Sequence, residues 1–193
     1  MDQELQEKMI ERTLVIIKPD ALKRSLTGEI IARFEKAGLK IVGMKMVSIT
    51  KEFAKKHYPE EIIPRIGGKT LADWKEMGIK TDKDEKGVGR DAWNDLIVYI
   101  TEGPVVALIL EGVHAVDVVR KITGSTSPHK AQPGTIRGDY SHISMGYATH
   151  RRFGGRNLIH SSGSVEEAEM EIKLWFKKDE LFKYKGVHDE HLV

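Results

Sequence analysis

The apolar residues of this chain fall into short unbroken runs and spaced stripes. Thr13-Leu-Val-Ile-Ile17 is a β-branched run closed by Lys18-Pro19-Asp20, where proline withholds the amide that a ladder needs. This predicts a buried strand ending in a turn, with Lys18 at its exit. From Thr27, a candidate N-cap, Ile30, Ile31, Phe34 and Ala37 keep helical spacing until Gly38 stops it. Leu39 to Ile49 predicts a second strand. Its apolar set shifts across Gly43 from Leu39 and Ile41 to Met44 and Met46, as a bulge would shift a two-residue period. Trp93, Leu96, Ile97 and Ile100 predict a helix ahead of Gly103-Pro104, and Val105 to Leu110 a third buried strand. Val116, Val119 and Ile122 mark a further helix. Ser164-Val-Glu-Glu167 is a capping-box signature, opening a helix with Val165, Ala168, Ile172 and Trp175 inward. Two stretches fit this outline poorly and are expected to be surface insertions: about 59–90, rich in glycine and charge, and about 141–155.

A chain of 193 residues can bury one good core, so a single domain over 1–193 is expected. With 40% hydrophobic and 31% charged residues it falls in the soluble globular class. The run Val105 to Leu110 is far too short to cross a bilayer, so no membrane partner is expected. The N-terminal MDQELQEKMIER lacks the apolar stretch of a secretion signal, which makes the cytoplasm the expected location. The absence of cysteine excludes disulfides and thiolate zinc sites. A net charge of +2 is too mild to announce nucleic acid as the main partner but suits small anionic ligands.

Several motifs carry candidate chemistry, some of it weak. Gly68-Lys69-Thr70 ends like a phosphate-binding P-loop, but position 63 is Ile where that loop needs glycine. His188 and His191 offer two imidazoles near the chain end, where solvation is the commoner fate. HRRFGGR, 150–156, interleaves arginines with an aromatic, as phosphate-tracking segments do and as solvated loops also do. Pro133-Gly-Thr-Ile-Arg-Gly-Asp139 is stronger, because proline and two glycines fix the backbone while Thr135 and Arg137 supply donors. Asn157-Leu-Ile-His160-Ser-Ser-Gly-Ser164 is the strongest, since it delivers a histidine into a capped helix start with free amides and a positive dipole end. Glu171 lies on the inward stripe of that helix. A carboxylate there needs a partner, and His160 is the expected one: a bond to one ring nitrogen would fix the tautomer and leave the other nucleophilic.

Taken together, IIKPDALKR, HY at 57 and 58, EGPVVALILEG, QPGTIRGD and NLIHSSGS stand in the order found in nucleoside diphosphate kinases, and the chain resembles that family from about Glu11 to Phe182. The resemblance implies a ferredoxin-like α+β sandwich, a four-stranded antiparallel sheet with helices on one face. It implies that His160 is the phosphorylated nucleophile, that Glu171 orients it, and that Ser162 supports Glu171. Lys18, Tyr58, Arg120, Thr126, Arg137 and Asn157 fall on the family's active-site positions. Lys18 and Asn157 would serve the ribose and terminal phosphate, and Arg120, Thr126 and Arg137 the phosphates. Trp93 is the expected aromatic clamp for the base. The implied reaction passes the γ-phosphate of ATP or another NTP to an NDP by a ping-pong route, with Mg²⁺ carried on the nucleotide and no metal site on the protein. A homo-oligomer is implied, hexamer before tetramer. The pattern departs at Gly163, where the family usually has an acidic residue, which would remove a negative charge from the helix start. A competing reading is a nucleotide- or RNA-binding regulatory module that kept the fold without the chemistry.

Overall fold

In a computed structural model the described residues are 9–186, so His188 and His191 lie outside them. The strands are β1 Ile10–Ile17, β2 Lys40–Val47, β3 Val105–Val113 and β4 Ile159–Ser161, paired antiparallel in the order β2-β3-β1-β4. The helices are α1 Pro19–Lys23, α2 Thr27–Lys36, α3 Lys51–His57, α4 Ile63–Glu76, α5 Glu85–Ile100, α6 Ala115–Thr123, α7 Ile136–Tyr140, α8 Met145–His150 and α9 Val165–Trp175.

The expected bulge in β2 is present, with the register against β3 shifting between Ile41 and Gly43. Two boundary expectations change. Thr27 is the first residue of α2, not its cap, and Val165 is 39% exposed because it begins the first turn of α9. The helices do not keep to one face. Leu14 to Ile17 are all fully buried, which an antiparallel strand achieves only when both faces are covered. Leu14, Ile16, Ala107 and Ile109 pack with Trp93, Ile97, Ile100 and Trp175 from α5 and α9. Val15, Ile17, Leu108 and Leu110 pack with Ile30, Phe34, Ala115 and Val119 from α2 and α6. Each large apolar side chain so buried contributes roughly 1.5–3 kcal/mol.

The stretch expected as a surface insertion at 59–90 is mostly helical. Two of its glycines serve close packing: a Cβ on Gly67 would collide with the carbonyl of Glu85, and one on Gly89 with that of Ile63. Gly67 and Gly89 thus mark where α4 and α5 cross. Gly68-Lys69-Thr70 lies inside α4, so it forms no phosphate loop. Two of the three arginines of 150–156 are tied to acidic residues of α5 and its end. Arg152 pairs with Asp95 at 2.9 Å, and Arg156 with Glu102 at 2.7 and 2.9 Å. The Arg151 guanidinium instead lies over the Phe153 ring, 5.7 Å from its centroid.

Candidate active site

The site forms where β1 ends and β4 begins. β4 pairs His160 with Ile16, which turns the imidazole toward the sheet face covered by α3, α5 and α9. The approach to β4 is constrained. Leu158 is fully buried with φ +72°, a left-handed conformation costing a non-glycine residue roughly 1–2 kcal/mol. Both of its backbone groups are held by the strand-exit motif: its carbonyl accepts from the Lys18 amide at 2.8 Å, and its amide donates to Asp20 Oδ2 at 3.1 Å. Asp20 in turn accepts from the Tyr99 hydroxyl. The KPD turn thereby fixes the corner that aims Asn157 and His160.

His160 Nε2 lies 2.8 Å from Glu171 Oε1, and the Ser162 hydroxyl donates to Glu171 Oε2 at 2.6 Å. The His160 side chain is 14% exposed. Burial, and then the neighbouring Lys18 ammonium, push its pKa down to about 3, so the ring is neutral at ordinary pH. A neutral imidazole facing a carboxylate carries its proton on the bonded nitrogen. Nδ1 therefore keeps the lone pair.

His57 sits 4.5 Å from His160, ring to ring, edge to face. The Trp175 indole, which can only donate, reaches His57 Nδ1 at 3.2 Å. That nitrogen must hold a lone pair, so its 3.4 Å approach to Glu171 Oε1 is no ion pair despite the distance. Burial holds the His57 pKa well below its usual value, in agreement with a neutral ring. His57, His160 and Glu171 bring their donor atoms within 4.8 Å of one another, a spacing that could hold a metal ion. The Trp175 indole occupies the His57 Nδ1 lone pair and His160 Nε2–H donates to Glu171, so we read the cluster as a hydrogen-bond network. Burial raises the Glu171 pKa, and the Ser162 hydroxyl opposes that rise.

The cationic residues divide into two kinds. Lys18 is 5% exposed and donates to Asn157 Oδ1 at 2.8 Å; burial, with Arg137 nearby, lowers its pKa to about 7. Arg137 donates to the carbonyls of Asn157, Gly124 and Ile159 at 3.2, 2.9 and 2.7 Å. A guanidinium has five N–H donors. Most of them here serve as struts beneath β4. Arg120, by contrast, is exposed, and its guanidinium has no hydrogen-bond or ion-pair partner among the described residues. Asn157 Nδ2 donates to the carbonyl of Thr126, whose side chain is exposed beside it. Thr135 caps α7, accepting from Gly138 and donating to Gln132, so its hydroxyl is not a free anion donor.

Lys18, Tyr58, Arg137, Asn157, His160, Ser162 and Glu171 come together, with Arg120 and Thr126 at the open side. Trp93 does not join them. Its ring is 3% exposed within the core and its Nε1 donates to the Tyr58 carbonyl at 2.8 Å, so it offers no face to a base. Its i, i+3, i+4 neighbours Leu96 and Ile97 had marked it as a core residue. The charge expected to be missing at Gly163 is also restored: Glu167 folds its carboxylate back to accept from the Gly163 amide at 2.9 Å, filling the space a Cβ there would need. His57 stood in the HY pair, Asp20 in KPD and Glu167 in the capping-box signature, but none of the three was expected at the site.

A neutral histidine with one nitrogen bonded to carboxylate and the other free, flanked by buried and exposed cations, is the equipment of a nucleophilic phosphotransferase site. A family model described as nucleoside diphosphate kinase matches residues 11–63 and 82–181. A nucleoside diphosphate kinase of Pyrobaculum aerophilum is 48% identical over 182 residues, covering 90% of this chain and 99% of the relative. A crystal structure of an NDP kinase from that organism superposes with a TM-score of 0.83 at 47% identity, over 90% of this chain and 100% of the other. A Borrelia burgdorferi nucleoside-diphosphate kinase, solved as a transition-state mimic with bound vanadate and ADP, superposes with a TM-score of 0.80 at 36% identity, over 96% and 98%. The chain belongs to the nucleoside diphosphate kinase family. It is therefore an enzyme of the phosphotransferase class, and the reading as a regulatory module without chemistry is set aside. No helix of the described residues is long and apolar enough to cross a membrane.

Proposed function

We propose that His160 Nδ1 carries the phosphoryl group between a nucleoside triphosphate and a nucleoside diphosphate. The observation that supports this is the 2.8 Å bond from His160 Nε2 to Glu171, which leaves Nδ1 as the free lone pair. In the first half-reaction the Nδ1–P bond forms while the bond from the γ-phosphorus to its bridging oxygen breaks, and the NDP leaves with that electron pair. The second half-reaction reverses these events on a different NDP, so donor and acceptor use one site in turn. As the phosphoryl arrives, the ring gains positive charge, which Glu171 balances through Nε2–H. Arg120 and the side chain of Thr126 meet the incoming phosphates from the open side, and Lys18 with Asn157 meets the transferred group. The Tyr58 hydroxyl, buried without a hydrogen-bond partner while its ring lies 5.9 Å from His160, is a further donor for it. The residues around His160 assigned here to phosphate are cationic or neutral donors and none is a carboxylate, so Mg²⁺ enters with the nucleotide and spreads the phosphate charge.

Incubation with γ-labelled ATP and Mg²⁺ tests the reading. The expected label is acid-labile, base-stable, absent from His160→Ala, and chased onto added GDP. An unlabelled wild type, or equal labelling of His160→Ala, would defeat it. We further propose one domain over 1–193, a homo-oligomer with hexamer favoured over tetramer, and a cytoplasmic location. The mass in solution tests the assembly.

A further inference from the structure

Residues 64–81, nearly all of α4 and the turn after it, fall outside the residues matched by the family model. They nevertheless make specific bonds to the segment before β4. The Trp74 indole donates to the Gly146 carbonyl at 2.7 Å, and the Gly146 amide donates to Asp73 Oδ2 at 3.0 Å. Lys130 pairs with Glu76 at 2.9 Å and Asp73 at 3.4 Å. The α8 segment passes this hold onward. The Met145 amide donates to the Ser127 hydroxyl at 3.0 Å, and the His129 amide to the Ile143 carbonyl at 3.3 Å. Ser127 adjoins Thr126, whose carbonyl receives Asn157 Nδ2, and Asn157 receives Lys18. Hydrogen bonds thus run from α4 through α8 and the 126–130 segment into the candidate phosphate site.

We propose that α4 is a brace: by docking Asp73 and Trp74 on Gly146 it holds the 126–130 segment in its nucleotide-binding position. The brace rests on the reading of Thr126 as a phosphate contact. Gly146 is its weak point, because a Cβ there would stand 2.6 Å from Asp73 Cβ and 3.2 Å from Trp74 Cδ1. Any side chain at 146 must push α4 and α8 apart. Asp73, Trp74 and Gly146 take no part in the chemistry, so they act as positioning residues for nucleotide binding.

The experiment compares wild type, Gly146→Ala and Trp74→Phe, the last keeping an aromatic ring while removing the N–H. The brace predicts KM for NTP and NDP raised roughly three- to tenfold, the size of about one net hydrogen bond of support. Labelling of His160 by phosphoramidate, a donor without a nucleotide, should stay at the wild-type rate in both variants. KM within twofold of wild type overturns the brace, as does a parallel fall in phosphoramidate labelling. Should Gly146→Ala fail to fold, Trp74→Phe decides alone by the same criteria. A wild type that accepts label from neither ATP nor phosphoramidate overturns the kinase reading and the brace together, whereas a labelled wild type with unmoved variants overturns the brace only.

Discussion

Glu171→Gln removes one charge with almost no change of shape, at a side chain 9% exposed. Glu171 serves two donors, Ser162 at 2.6 Å and His160 at 2.8 Å. A glutamine can accept from His160 through its oxygen and donate to the Ser162 oxygen through its amide, so the tautomer survives. What is lost is the charge opposite an imidazole that turns cationic as phosphorus bonds to Nδ1. A hydrogen bond to a charged group contributes about 1.5–3 kcal/mol, against about 1 kcal/mol for a neutral one. The difference, about 0.5–2 kcal/mol, corresponds to a roughly 2- to 30-fold slower phosphorylation at 25 °C. Glu171→Ala should cost more, because Nε2–H and the Ser162 hydroxyl both lose their acceptor. The assay is rapid quench with γ-labelled ATP under single-turnover conditions, with thermal denaturation to verify folding. Folded Glu171→Gln that labels His160 at the wild-type rate would refute the argument that this carboxylate supports the ring as it charges.

Other outcomes follow from the same geometry. Arg120→Ala should leave stability within about 0.5 kcal/mol but raise the nucleotide KM on the order of tenfold, whereas Arg137→Ala should cost about 3 kcal/mol or more in urea denaturation because three carbonyls lose their donor. Asp20→Ala, which orphans the Leu158 amide and the Tyr99 hydroxyl, should destabilise by about 2–4 kcal/mol and slow His160 labelling; an unchanged urea midpoint refutes the corner described at Leu158. His57 is held neutral in the fold but takes a proton near its ordinary pKa when unfolded, so the unfolded chain binds the extra proton as pH falls below about 6.5. Its contribution is fully present above that pH and lost below it, and His57→Asn should therefore flatten the acid limb of stability by about 1.4 kcal/mol per pH unit. Lys18, with its pKa near 7, is mostly neutral at pH 8; phosphate charge favours its ammonium form, so nucleotide binding there should take up as much as about one proton, read by calorimetry in buffers of differing ionisation enthalpy.

The sheet was readable from sequence because its strands are dense in branched apolar residues, and Gly43 betrayed its bulge by shifting a period. The candidate site was readable in part for a local reason: Ser164 caps the helix that carries Glu171, at a fixed spacing from His160. The helices within 59–90 were not legible because glycine has two uses. At Gly67 and Gly89 it permits helices to touch rather than chains to turn, and no local pattern distinguishes these uses. The helical spacing around Trp93 marks it as core, but the Tyr58 carbonyl that its indole meets lies 35 positions away in sequence, a pairing no periodicity names. The bond from Trp175 to His57 likewise joins distant segments and decides a proton's place that neither segment specifies alone.

Leu158 lies at a local optimum of substitution. Glycine there would relieve roughly 1–2 kcal/mol of left-handed strain while forfeiting a fully buried leucine worth about 2–5 kcal/mol. A β-branched residue would worsen the strain. Neither of these replacements improves both terms, so selection for greater thermal stability would have to act elsewhere in the chain, leaving the bend that aims His160 as it is.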